Sequence, residues 1–163
     1  MFFSSKSAPK KVLNAWAFYD WANSVYPLVI GTAVFPIYYG TLFVDSDYIE
    51  IFGLNYKNTA LIQHVTTIVF LFLACLVPLM SGIADFLGNK KTFMKLFVYL
   101  GSFSCMGLYL FDLENIYLGL LFYFLALFSF WASLVFYNSY LPDIANPSEQ
   151  DNVSALGFSY GYI

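Results

Sequence analysis

The 163-residue chain has no arginine, one histidine, two cysteines and only seven lysines. Ten acidic residues bring the net charge to −3, which leaves no broad basic surface for a nucleic acid. Charged residues make up 10% of the chain, against about 25% in soluble domains, too few to wet a globule of this size. Cys75 and Cys105 both fall in apolar runs and read as small buried hydrophobes, which argues against a disulfide scaffold. No pair of acids, nucleophile–base arrangement or metal-ligand spacing stands out, so no catalytic residue, metal ligand or cofactor is expected and the chain does not read as an enzyme. What it has in excess is apolar surface: 60% hydrophobic and 22% aromatic residues, with a mean hydropathy of +0.69.

This composition predicts an all-α integral membrane protein. A spanning helix needs about 20 apolar residues. Four runs qualify, at about 17–44, 59–84, 92–111 and 115–141, and a fifth opens at Val153 and is cut short at Ile163. The connections, Asp45–Asn58, Asp85–Lys91, Asp112–Asn115 and Asp143–Asn152, read as short polar links. Ser148-Glu149-Gln150-Asp151 reads as a capping box opening the fifth run. Lys6, Lys10, Lys11, Lys90, Lys91 and Lys95 all fall on one side of the membrane in this topology, and cytoplasmic loops are enriched in Lys and Arg, so the N-terminal segment 1–13 is expected in the cytoplasm.

Each run carries a face that lipid does not require. Small and polar residues recur at helical spacing in the first (Asp20, Asn23, Ser24, Pro27, Gly31, Tyr38), the second (Thr59, Gln63, Thr66, Ala74, Ser81), the third (Gly101, Cys105) and the fourth (Ala126, Ser129, Ser133, Tyr137, Tyr140). For the last three, helix packing is the expected role. In the first run, Asp20, Asn23 and Tyr38 are the candidate cavity or coupling residues, because an acid at membrane depth marks a pathway or a partner. Pro27 and Pro36 interrupt the same helix. His64, near the outer end of the second run, reads as an ordinary hydrogen-bonded or water-facing histidine.

The loop Ser81-Gly82-Ile83-Ala84-Asp85-Phe86-Leu87-Gly88-Asn89-Lys90-Lys91 resembles the signature between helices two and three of the major facilitator superfamily. Ala84, Asp85, Gly88, Lys90 and Lys91 match that pattern; Ser81, Phe86 and Asn89 depart from it. Trp16-Ala17-Phe18-Tyr19-Asp20-Trp21-Ala22-Asn23-Ser24, Phe136-Tyr137-Asn138-Ser139-Tyr140-Leu141-Pro142-Asp143 and Val153-Ser154-Ala155-Leu156-Gly157 resemble, in order, segments of the autophagy-related vacuole-effluxer branch of that superfamily. The resemblance implies a twelve-helix fold of which 14–163 is part of the N-terminal six-helix half. It implies secondary transport of a small solute by alternating access, with amino-acid efflux associated with the eukaryotic members. It implies a bacterial inner membrane, lipid and the remaining helices as partners, a coupling ion as an option, and Asp85, Gly88, Lys90 and Lys91 as a conformational gate loop. The competing expectation is a four-span accessory protein with no transport activity of its own. Four runs and a stub lead us to expect a fragment that does not transport alone.

Overall fold

A computed structural model describes residues 7–44 and 46–162. The first six residues of the expected N-terminal segment, Lys6 among them, lie outside the described residues, as do Asp45 and Ile163. The elements are α1 (Lys10–Asn23), a π-helical segment (Pro27–Ala33), α2 (Val34–Thr41), β1 (Tyr48–Ile51), β2 (Leu54–Lys57), α3 (Asn58–Leu87), α4 (Lys90–Gly107) with a 3₁₀ turn (Leu108–Leu110), α5 (Ile116–Ser139), α6 (Leu141–Ile144) and α7 (Gln150–Gly161). Asn58–Leu87, Lys90–Leu110 and Ile116–Ile144 are each long and apolar enough to cross a membrane. Helices suit that setting because they satisfy every internal backbone group without water.

The first run, expected to be interrupted at Pro27 and Pro36, is three helical segments of 14, 7 and 8 residues, none of which is long enough alone. Proline is the cause. Pro27 and Pro36 offer no N–H, so the i→i−4 ladder cannot run through them. Between them the backbone widens: Val34 N–H reaches back five residues to Val29 C=O. Helical bonding still passes the first junction, from Ser24 N–H to Asp20 C=O (3.0 Å) and from Leu28 N–H to Ser24 C=O (3.4 Å).

α5 is the central element. It packs against α4 and α3, while α7 packs against α1. Ala126, Ser129, Ser133 and Tyr137 are buried on α5, as the spacing of small residues predicts. The approach is close at Gly101 of α4, where a Cβ would lie 3.2 Å from Ser129 Cβ. The second run departs from expectation. Its buried face is apolar (Leu61, Val69, Leu73, Ala84), and Thr59, Gln63 and Ala74 stay exposed. Large side chains bury more area against α5 than a small-residue stripe would, so they win the contact. One cluster, around Val69, Phe97 and Phe136, fills the half nearer Lys90. A second, around Phe35, Tyr39, Phe111 and Ile116, fills the far end.

Two local expectations are corrected. The link after the first span, read as a short polar connection, contains an antiparallel hairpin with apolar members, Ile51 opposite Leu54 and Tyr48 opposite Lys57. Its apolar members explain it: Ile51 is buried in the far-end cluster and Ile49 and Tyr56 pack on that cluster. Phe52 and Gly53 form the turn, both with positive φ (52° and 77°), the two-residue turn that matches strand twist. Phe52 is thus a bulky residue in left-handed backbone, at a cost of about 1–2 kcal/mol. The second correction is the capping box. α7 is preceded by Glu149 with no side-chain cap: Glu149 N–H bonds Asn146 C=O at 2.8 Å in a turn over 146–149, which leaves Ser148 one residue before the N-cap position. Ser7 instead ties the N-terminal segment to this turn: its hydroxyl bonds Glu149 and accepts from Asn146 N–H.

Tight contacts to glycine identify where added volume is not tolerated. A Cβ on Gly119 would lie 2.5 Å from the ring of the fully buried Phe111, whereas one on Gly40 meets nothing within 4 Å. Gly119→Ala in the full-length protein should lower stability by about 1–3 kcal/mol, read as thermal unfolding in detergent, with Gly40→Ala neutral or slightly stabilising. Equal behaviour of the two would refute the packing described here.

Candidate functional site

The loop between α3 and α4 is built by a glycine reversal. Gly88 adopts φ 63°, ψ 26°, a conformation costly for any residue with a Cβ. Gly88 N–H bonds Asp85 C=O at 3.2 Å and Asn89 N–H bonds Ala84 C=O at 3.0 Å, closing the end of α3. Asn89 Oδ1 then accepts from the Thr92 hydroxyl at 2.6 Å. The reversal delivers Lys90 as the first residue of α4. Its ammonium lies 3.2 Å from Asp85 Oδ1 and 2.9 Å from Asp143 Oδ2, and donates to Ser139 C=O at 3.2 Å. Three donors meet three acceptors. Lys90 therefore joins the α3–α4 loop to the end of α5 and the start of α6. Asp85 and Lys90, both named from the sequence as members of the loop, are brought together as a pair. Gly88 sets their approach, and Lys91 stays exposed outside the cluster. Asp143 and Ser139 were not expected here. They lie 53 and 49 residues from Lys90, and no local spacing announces them.

A second junction lies beside it. Tyr137 of α5 is held between two rings of α1: Trp16 at 4.3 Å and 9°, and Tyr19 at 4.9 Å and 29°. The Trp16 indole N–H donates to Tyr137 C=O at 3.1 Å. α7 closes over this stack through Gly157 and Gly161. A Cβ on Gly157 would sit 3.1 Å from the Trp16 ring and 3.3 Å from the Tyr137 hydroxyl. One on Gly161 would sit 2.9 Å from Ser24 Oγ and 3.2 Å from Asp20 Oδ2. Glycines four apart let two helix backbones approach closely, a pairing present in the run 157–161 but not singled out from sequence.

Two clefts flank α1. One of about 470 Å³ lies between α1, the π-helical segment, α4 and α5, and is lined by Asn23, Tyr26, Gly101, Cys105 and Ser129 among others. The buried hydroxyls of Tyr26 and Ser129 have no hydrogen-bond partner among the described residues. The other, of about 490 Å³, lies between α1, α5 and α7, with Asp20, Ser24, Asn138 and Ser154 on its wall. Asn23 borders both. No lysine or histidine lines either cleft, and the two ion pairs among the described residues both belong to Lys90, so Asp20 has no basic partner among the described residues. Tyr38, expected with Asp20 and Asn23, lines neither. It lies toward the far end of the helix, where its hydroxyl donates to Phe111 C=O at 2.5 Å. His64 is exposed and its Nδ1 bonds Ala60 C=O at 2.6 Å, an ordinary local contact.

The Lys90 junction can be read energetically. A double-mutant cycle of Lys90→Ala with Asp143→Ala should give about 0.5–1 kcal/mol of coupling, shrinking as salt is raised, because the acids are half exposed. Zero coupling at low salt would mean that the pair contributes nothing to holding the loop on α5.

Comparison with known proteins places this geometry. Residues 8–157 match the family described as vacuole effluxer Atg22 like. The chain is 38% identical over 151 residues to the uncharacterized MFS-type transporter YxiO of Bacillus subtilis (strain 168), an alignment that covers 92% of this chain and 34% of that relative. The chain thus spans about a third of the length of the curated relative it matches. No solved structure matches it significantly. With three helices able to cross a membrane, this is a multi-pass membrane protein, and it belongs to the vacuole effluxer Atg22-like family.

Proposed function

We propose that the chain contributes part of the N-terminal six-helix half of a twelve-helix secondary transporter that moves a small solute by alternating access. In this reading the segmented helix from α1 to α2 is also a span, residues 1–13 lie in the cytoplasm, and the membrane is a bacterial inner membrane. The family match and the transporter name of the Bacillus relative support transport as the activity. The observation that carries the mechanism is Asp20: a part-buried acid on the wall of a cleft, with no base among the described residues to neutralise it. An unpaired carboxylate within a membrane is costly, and a proton or a cationic group arriving at it removes that cost. Occupancy of the cleft then biases which conformation is stable, the coupling that alternating access requires.

Asn23, which borders both clefts, is the second candidate contact. Thr59, Gln63 and Ala74 are exposed on α3 and are candidate contacts for the remaining helices. The junction of Lys90 with Asp85 and Asp143 acts as a latch. It holds the α3–α4 loop on α5, and its half-exposed acids are placed to exchange Lys90 for another partner when the halves rock. The family description supports efflux, and amino acids are the substrate class that the resemblance to the eukaryotic members suggests.

Counterflow of labelled amino acids into proteoliposomes of the full-length protein tests this. Asp20→Asn should lower the initial rate about tenfold or more, about 1.4 kcal/mol of barrier, with Asp20→Glu retaining more of it. Asp85→Asn should leave substrate binding intact and slow turnover. Wild-type rates in a well-folded Asp20→Asn protein would remove Asp20 from the mechanism. Absence of counterflow with every amino acid would refute amino-acid efflux.

A further inference from the structure

The turn of the hairpin is built against its own backbone preference. A two-residue turn with both φ positive favours Asn, Asp or Gly at its first position, yet that position holds Phe52. The side chain is not buried in exchange: it is 85% exposed. A residue kept in a strained and exposed state calls for a contact outside the described chain. The hairpin itself is firmly seated. Ile51 is buried in the far-end cluster, Phe52 N–H meets the Tyr117 hydroxyl at 3.4 Å, and the two rings lie 5.2 Å apart at the start of α5. The turn is therefore held at the level where α5 begins, at the end of the bundle away from Lys90.

The neighbours decide what covers it. Tyr48 and Leu54 on the hairpin, Tyr109 and Leu113 on the α4–α5 connection and Tyr117 on α5 are all exposed. They come from three separate segments that meet at one end of the bundle, interspersed with Asp47, Glu50, Asp112 and Glu114. A medium that surrounds the bundle would cover exposed rings on several segments alike, and aromatic side chains amid polar groups are what a bilayer interface accommodates. We propose that the 48–57 hairpin lies in the headgroup–acyl boundary of the leaflet away from Lys90, with Phe52 as the inserted residue that seats it there. This rests on the chain spanning a membrane and not on its being a transporter.

The test uses full-length protein in phosphatidylethanolamine/phosphatidylglycerol vesicles, with every native cysteine, Cys75 and Cys105 included, replaced by alanine. An NBD fluorophore on Leu54→Cys reports beside the tip. A lipid spin-labelled near its headgroup should quench it, and aqueous iodide should quench it weakly. Phe52→Asn relieves the backbone strain, so the hairpin is expected to stay folded, but it removes the inserted ring. Lipid quenching should then fall and iodide quenching rise about tenfold, the partition that burying one Phe supports. Iodide quenching that is strong in both proteins would overturn the proposal. So would a label reached by neither quencher, which would place the tip against protein, and so would lipid quenching unchanged by Phe52→Asn.

Discussion

Tyr137 is the point through which the arrangement of the helices is transmitted. Its ring is clasped by Trp16 and Tyr19, and its carbonyl takes the Trp16 N–H. Stacked pairs of this kind add to area burial, and the hydrogen bond fixes the height of α1 against α5. With that height set, Asp20 and Ser24, one and two turns further along α1, face Gly161 of α7. Both clefts border α1 and α5, so their walls inherit the same register. Loosening the clasp would move the acid, the two clefts and α7 together.

The two ends of the bundle are held by different physics. At the Lys90 end a single ammonium collects two carboxylates and a carbonyl, an arrangement that is local, partly wet and sensitive to salt. At the far end Phe35, Tyr39, Phe111 and Ile116 close an apolar cluster under the hairpin, with ring contacts such as Phe35–Phe111 at 5.3 Å. Polar contacts can change partners at small cost, whereas a packed aromatic cluster loses its dispersion contacts if it opens. The Lys90 contacts are thus more easily exchanged than either apolar cluster, including the one around Val69, Phe97 and Phe136 that packs beside them.

Much of this was legible from residue type and spacing. The buried stripe Ala126, Ser129, Ser133 and Tyr137 could be read because small residues at helical intervals suit a close neighbour. The loop reversal could be read because Gly88 between Asp85 and Lys90 leaves few ways to turn. Three blocks with family resemblance also proved to meet: Trp16 and Asp20, Tyr137, and Gly157 belong to separate blocks and share one junction. The partner of Lys90 was not legible, since Asp143 lies 53 residues away and a single sequence carries no record of long-range pairing. The hairpin was hidden because its turn is Phe-Gly rather than a residue pair suited to left-handed backbone, and its strands are four residues each. Tyr38 was misplaced because the sector argument assumes 100° per residue, and the π-helical segment lies between it and Asp20.

That segment has a consequence for how the first helix behaves as a machine part. An α-helix advances about 100° per residue, so each residue taken into or released from a wider turn rotates everything beyond it by about that angle. Pro27–Ala33 has no fully buried residue, and a Cβ on Gly31 would meet nothing within 4 Å, although Ile30 packs on the far-end cluster. Trp16 on one side and Tyr39 on the other are each hydrogen-bonded to different neighbours. The wider turn thus lies between two separately seated parts of one helix, the clefts beside α1 and the aromatic cluster around α2.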